Sequence, residues 1–218
     1  MAKLKIYTFP DLVLAQKALP VEHVDRSFYR LADDMLETMY DAPGIGLAAN
    51  QVGLLQRIIV VDTDFEMEEL PEGGKVPAGA EVVGNAILTG KSPRVFINPE
   101  IIYQEGTISF EEGCLSVPEF TAEVRRAEKI KVQYKNLDGV SQVLAADGLL
   151  AICIQHEMDH LDGKLFIDRL SPVKKDFAKK KLKRERLDRE EYERIQMEAL
   201  ARGLPPPASP AKSKKKGI

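Results

Sequence analysis

Cysteine and histidine are scarce in this chain. Its 218 residues include two of the former and three of the latter. Two cysteines do not make a disulfide framework; in a reducing compartment such thiols are structural, catalytic or metal-binding. No apolar run approaches the length needed to cross a bilayer, and no membrane association is expected. The stretch Met1-Ala2-Lys3-Leu4-Lys5-Ile6-Tyr7 lacks the long apolar core of a secretory signal, so a cytoplasmic protein is expected. There is no internal repeat. What is present is ordinary for a globular protein: 44% hydrophobic residues, enough for one substantial domain plus an extension.

The net charge of −3 hides a split. Residues 171–218 hold 15 Lys+Arg against 7 Asp+Glu, a local +8, whereas the other 170 residues hold 16 against 27, or −11. Such asymmetry fits a basic arm for nucleic acid, and equally a solvated helix with a soluble tail.

Periodicity predicts a helix over 25–40, where Phe28, Leu31, Ala32, Met35, Leu36 and Met39 share one face. The small, tight stretch from Gly44 to Gln51 follows. Ile58-Ile59-Val60-Val61 suits a buried strand. Residues 63–92, rich in acids, glycine and proline, read as an inserted loop holding at most short strands at Val82-Val83 and Ile87-Leu88. Strands are expected at 95–97, 101–103 and 130–134, the last closing a hairpin with 142–146 through Asn136-Leu137-Asp138-Gly139. A helix over 148–161 is stopped by Gly163. A charged helix spans 172–201, broken at Leu204-Pro205-Pro206-Pro207, and a disordered tail covers 204–218.

Within the 148–161 helix, His156-Glu157-Met158-Asp159-His160 is H-E-x-x-H. Histidines at i and i+4 share a helix face and can reach one metal ion, and a carboxylate beside the first can take a proton from metal-bound water. Leu149, Leu150, Ile152, Cys153 and Ile154 make the preceding turns apolar on nearly every side. That argues against two solvated polar residues, because buried histidines need partners. A catalytic site needs a third protein ligand. Six residues after His160, where one protease class has a histidine, stands Phe166. Glu185, the downstream glutamate, lies in a Lys/Arg-rich stretch. Cys114, between strand-like segments, is the better candidate, and Cys153, in apolar surroundings, reads as a buried, inert thiol.

Three blocks then stand in the order and spacing of the peptide deformylase family: Gly44-x-Gly46-x-Ala48-Ala49-x-Gln51, Glu112-Gly113-Cys114-Leu115-Ser116 and Gln155-His156-Glu157-x-x-His160. The chain resembles that family over about residues 1–170, the insertion apart. The resemblance implies an α+β fold, with antiparallel or mixed β-sheets packed around a central metal-binding helix, flanked by an N-terminal helix and a C-terminal basic helix. The implied organisation is a catalytic domain over 1–170, a basic helix over 171–203 and the tail. The implied reaction removes the formyl group from formylmethionyl nascent peptides and releases formate. In that scheme Cys114, His156 and His160 hold one divalent ion, typically Fe²⁺, with Zn²⁺, Ni²⁺ or Co²⁺ as substitutes. Glu157 is the general base and acid, and the Gln51 side chain and Leu115 N–H donate to the oxyanion. Gly44 and Gly46 let an extended substrate approach. Ile45, Phe110, Glu112, Leu149, Ile152 and Cys153 are candidates for the methionine pocket, and Gly113 for substrate contact. An arginine common in bacterial members is here Thr121, with Arg125 and Arg126 nearby. The local +8 charge beside an acidic domain, together with a nascent-chain substrate, predicts that the basic segment from Lys174 to Arg194 docks on ribosomal RNA near the peptide exit, and a monomer is expected. Two rivals stand beside the deformylase reading: a zinc endopeptidase, which lacks a convincing downstream ligand, and an inactive ribosome-binding relative, which retention of Glu157 and Gln51 disfavours.

Overall fold

The structure, a computed structural model, describes residues 3–69, 80–83, 86–202 and 205. Most of the tail expected over 204–218, and residues 70–79 and 84–85 of the insertion, lie outside the described residues. The chain divides into two compact units, Met1–Ser171 and Pro172–Ile218.

The first unit is built on a five-stranded antiparallel sheet in the order β1 (Gly46–Ala48), β2 (Ile58–Val61), β6 (Arg94–Glu105), β9 (Lys129–Lys135), β10 (Ser141–Asp147). All four residues of β2 are buried because both faces of the sheet are covered. Ile59 and Val61 join Phe96, Ile130 and Val132 under helix α2 (Gly148–Leu161), whose Ala151, Cys153, Ile154 and Leu161 complete that layer. Ile58 and Val60 face the other way, with Leu47 and Ile97, onto Phe28, Met35, Met39 and Tyr40 of helix α1 (Ser27–Asp41). A continuous β-branched run is what a strand between two helical layers needs. Helix α2 is therefore apolar on nearly every side up to Ile154, as its sequence predicts, and carries its polar residues from Gln155 onward.

In the inserted segment the short strands expected at Val82-Val83 and Ile87-Leu88 are present, joined by one that was not expected: β3 (Glu66–Glu69), β5 (Ala86–Thr89) and β4 (Glu81–Val83) form a three-stranded antiparallel sheet in that order. Its acidic strand β3 is exposed throughout, which is why no alternation marks it in the sequence. Buried Asp62 ties both ends of the insertion to the main sheet. Its carboxylate accepts hydrogen bonds from the Asp64 and Ser92 N–H groups at 3.0 and 2.9 Å and from the Tyr40 hydroxyl at 2.6 Å.

A further pair, β7 (Ile108–Cys114) and β8 (Val117–Arg126), forms a separate hairpin. The register pairs Cys114 with Val117, leaving Leu115-Ser116 as the turn.

In the second unit, helix α3 (Pro172–Ala201) starts with proline at its first position, where no N–H is missed. Its charge is segregated: eight Lys+Arg against two Asp+Glu in 172–186, then two against five in 187–201. Pairs one turn apart, such as Lys180 with Asp176 at 2.8 Å, neutralise part of it. No described helix is long and apolar enough to cross a membrane.

Candidate metal centre and substrate cleft

Helix α2 carries His156, Glu157 and His160 at its buried end, and the β7–β8 turn brings Cys114 to them. The Cys114 Sγ lies 3.2 Å from His160 Nε2, and the donor atoms of Cys114, His156 and His160 are all within 4.8 Å of one another. An ion bonded to two imidazole nitrogens and a thiolate requires tetrahedral donors roughly 3.5 Å apart, so the set fits a borderline-soft divalent ion. Among the described residues no other group of histidine, cysteine and carboxylate ligands is so arranged. His23 is exposed and outside the cluster. Phe166, standing where a third histidine could have been, stacks on the His156 ring at 5.9 Å between centroids.

The ring of His156 is held from behind. Its Nδ1 lies 2.8 Å from Glu112 Oε2, so donation to that carboxylate leaves Nε2 as the free nitrogen. Glu112 is gripped by both arms of buried Arg126, Nε at 2.7 Å and an η nitrogen at 2.8 Å. Arg126 also donates to Asp159 at 2.5 Å, and Arg169 donates to both oxygens of Asp159 at 2.5 Å. Burial alone would raise the Glu112 carboxyl, but the hydrogen bonds from Arg126 and His156 outweigh it and hold it at about 2. Glu112 lines the cleft as expected, but its carboxylate is committed to His156 and Arg126 and does not make an apolar methionine pocket. Arg126 is consumed in the same way, and Arg125 lines a polar cavity on the other side of α2. Neither replaces the arginine absent at Thr121.

Glu157 is 4% exposed. Burial pushes its carboxyl up to about 7 against the pull of His156 and Arg126, and its Oε2 has no protein partner. A buried oxygen left unpaired invites a ligand group. Gln51 is oriented from both ends of its amide. Its Oε1 accepts from the Ala48 N–H at 2.8 Å, and its Nε2 is 3.1 Å from Ser116 Oγ and 3.6 Å from Cys114 Sγ.

The two glycines of the first block have a reason beyond the one expected. A Cβ on Gly46 would fall 2.5 Å from Glu157 Oε1 and 2.7 Å from Cys153 Sγ, and one on Gly44 would fall 2.8 Å from Leu115 Cδ1. They make room for the protein's own side chains, whatever they also do for a substrate. Cys153 stays outside the donor cluster. Burial pushes its thiol well up, and its Sγ donates to the Ile45 carbonyl at 3.4 Å.

Above the cluster opens a cavity of about 480 Å³, lined by Ile45, Phe110, Leu149, Ile152 and Cys153 together with Gly44, Gly46, Gly113 and Leu115. Pro43, Pro118 and Glu119 also line it. The sequence reading missed these three, and it missed Arg126, Asp159 and Arg169 as a unit. The one available signal was an arginine closing the alternating strand β8.

A model of the polypeptide deformylase family matches residues 3–176. The chain belongs to this family. Peptide deformylase 2 of Xanthomonas campestris pv. campestris is 48% identical over 185 residues, covering 84% of this chain and 95% of that protein. The crystal structure of a peptide deformylase from Legionella pneumophila superposes with a TM-score of 0.69 at 42% identity, over 86% of this chain and 98% of that one. The Ehrlichia chaffeensis peptide deformylase, solved in complex with actinonin, does so with 0.69 at 40% identity, over 85% and 98%. The mixed helices and antiparallel sheets are thus the peptide deformylase fold, and the family is one of enzymes.

Proposed function

We propose that this protein hydrolyses the formamide bond of N-formylmethionyl peptides, releasing formate, at one divalent ion held by Cys114, His156 and His160. The observation that carries the reading is the convergence of this donor set with a buried, unpartnered Glu157 oxygen and the oriented Gln51 amide beside an apolar cleft. When bound, the ion supplies Lewis acidity, which makes water a nucleophile near neutral pH and polarises a carbonyl oxygen. The resident ion is Fe²⁺ in this reading, although an N₂S set also accommodates zinc, nickel or cobalt.

The protein's own groups do the rest. The Glu157 carboxylate takes the proton of the attacking water and passes it to the departing amine nitrogen. The Gln51 Nε2 and the Leu115 N–H donate to the formyl oxygen as charge grows on it. The neutral amide does so without adding a charge beside the ion. The peptide lies extended beside Gly44–Gly46 and Gly113–Leu115, with its methionine side chain among Ile45, Phe110, Leu149, Ile152 and Cys153.

The protein acts in the cytoplasm as a monomer, and the basic first half of α3 meets ribosomal RNA, which keeps the enzyme beside emerging chains. Formate release from formyl-Met-Ala-Ser by the metal-loaded protein tests the reaction. A folded, loaded protein that releases none contradicts it.

A further inference from the structure

Among the described residues three carboxylates line the cleft, and two already have a place in the site. Glu112 binds His156 and Arg126, and Glu157 is buried at the centre. The third, Glu119, is exposed at the wall of the cavity and has no hydrogen bond or ion pair among the described residues. Among the described residues no lysine or arginine lines the cleft. Position 121 is a threonine whose hydroxyl donates to Glu111 at 2.6 Å. The Thr121 methyl carbon lies 3.5 Å from where a Cβ of cleft-lining Gly113 would stand, so this neutral side chain sits at the same wall. Across the hairpin Glu111 faces Glu123, adding no cation.

We propose that Glu119 is a specificity-determining residue that favours peptides carrying lysine or arginine immediately after the formylmethionine and disfavours aspartate or glutamate there. This rests on the deformylase reading above. With the methionine side chain in the apolar cavity, the following residues run out along the cleft wall, within reach of an exposed carboxylate. A long cationic side chain there gains an ion pair in solvent, whereas an acidic one meets repulsion with no compensating arginine. Ion pairs in solvent are weak, so the effect is several-fold, resides in binding rather than chemistry, and is screened by salt.

The test is steady-state hydrolysis of amidated formyl-Met-Lys-Ser, formyl-Met-Ala-Ser and formyl-Met-Glu-Ser by the full-length, metal-loaded protein at low and high salt. The lysine peptide should exceed the glutamate peptide by roughly three- to tenfold in kcat/KM, mostly through KM. High salt should narrow the gap, Glu119→Gln should collapse it, and Glu119→Lys should invert it. Equal rates for the two charged peptides, or a gap that neither substitution changes while formyl-Met-Ala-Ser is still turned over, overturn the proposal. Absence of formate from every peptide overturns the reaction itself, and this inference with it.

Discussion

The Nδ1 of His156 lies 2.8 Å from a carboxylate oxygen of Glu112. That contact links the donor cluster to a buried chain of charge running through Arg126 and Asp159 to Arg169. A histidine held this way keeps one tautomer and one ring orientation, which a metal ligand needs.

Glu112→Gln keeps an acceptor for His156 but removes the charge that Arg126 grips. Metal affinity should fall about 10- to 100-fold. Chelator competition measures it, and an affinity equal to that of the unaltered protein would sink the positioning role assigned to Glu112.

Arg126→Met strands the buried Glu112 carboxylate, a loss of about 3–5 kcal/mol on the scale of broken buried pairs. That is a large share of a domain's stability. Arg126→Lys retains charge without the two-armed grip, so it should fold and be intermediate. Urea unfolding of both proteins checks the order. A cost near zero for Arg126→Met contradicts it.

Glu157→Gln should leave the fold and metal content intact and lower kcat by roughly 10²- to 10⁴-fold, since it removes the proton acceptor and little else. A variant that keeps a tenth of the activity assigns the proton transfer elsewhere. The unpartnered Glu157 oxygen makes this substitution structurally mild.

The architecture was readable where one element carries its own pattern. The β-branched run of β2 announced a strand buried on both faces, and α2 announced itself through an apolar run ending in H-E-x-x-H. What escaped lies in pairings between distant segments. Arg126 acquires its role only when the hairpin sets it beside Glu112, 14 residues earlier, and when α2 brings Asp159, 33 residues later. Strand β7 of the hairpin is mostly exposed and acid-rich and shows little alternation, whereas β8 alternates. Of the insertion's sheet, only the exposed acidic strand β3 escaped, for the same reason as β7. The glycines were recognised, but their second reason was out of reach, because what a Cβ would strike at Gly46 is Glu157, 111 positions away in sequence.

Ribosome binding through α3 should reside in its basic half, residues 172–186, and weaken steeply with salt, because each phosphate contact releases a counterion. Charge reversal at Lys174 and Lys175 should reduce both affinity and salt slope in co-sedimentation. Undiminished binding by a chain ending at Leu170, shown to be folded by circular dichroism, rules the helix out.

Cys114→Ala separates the proposed site from a zinc endopeptidase with a downstream ligand. It should abolish stoichiometric metal binding, whereas the protease reading leaves the ion in place. Retention of one ion per chain after this substitution would remove Cys114 from the donor set.

The most direct measurement joins metal content and turnover in one sample: anaerobic purification, metal analysis, and formate release from formyl-Met-Ala-Ser. A thiolate beside Fe²⁺ is prone to oxidation, and nickel substitution guards against loss in air. The account predicts one divalent ion per chain and formate released in proportion to it. A folded protein with one ion per chain and no formate, in both the anaerobic and nickel-loaded forms, contradicts it.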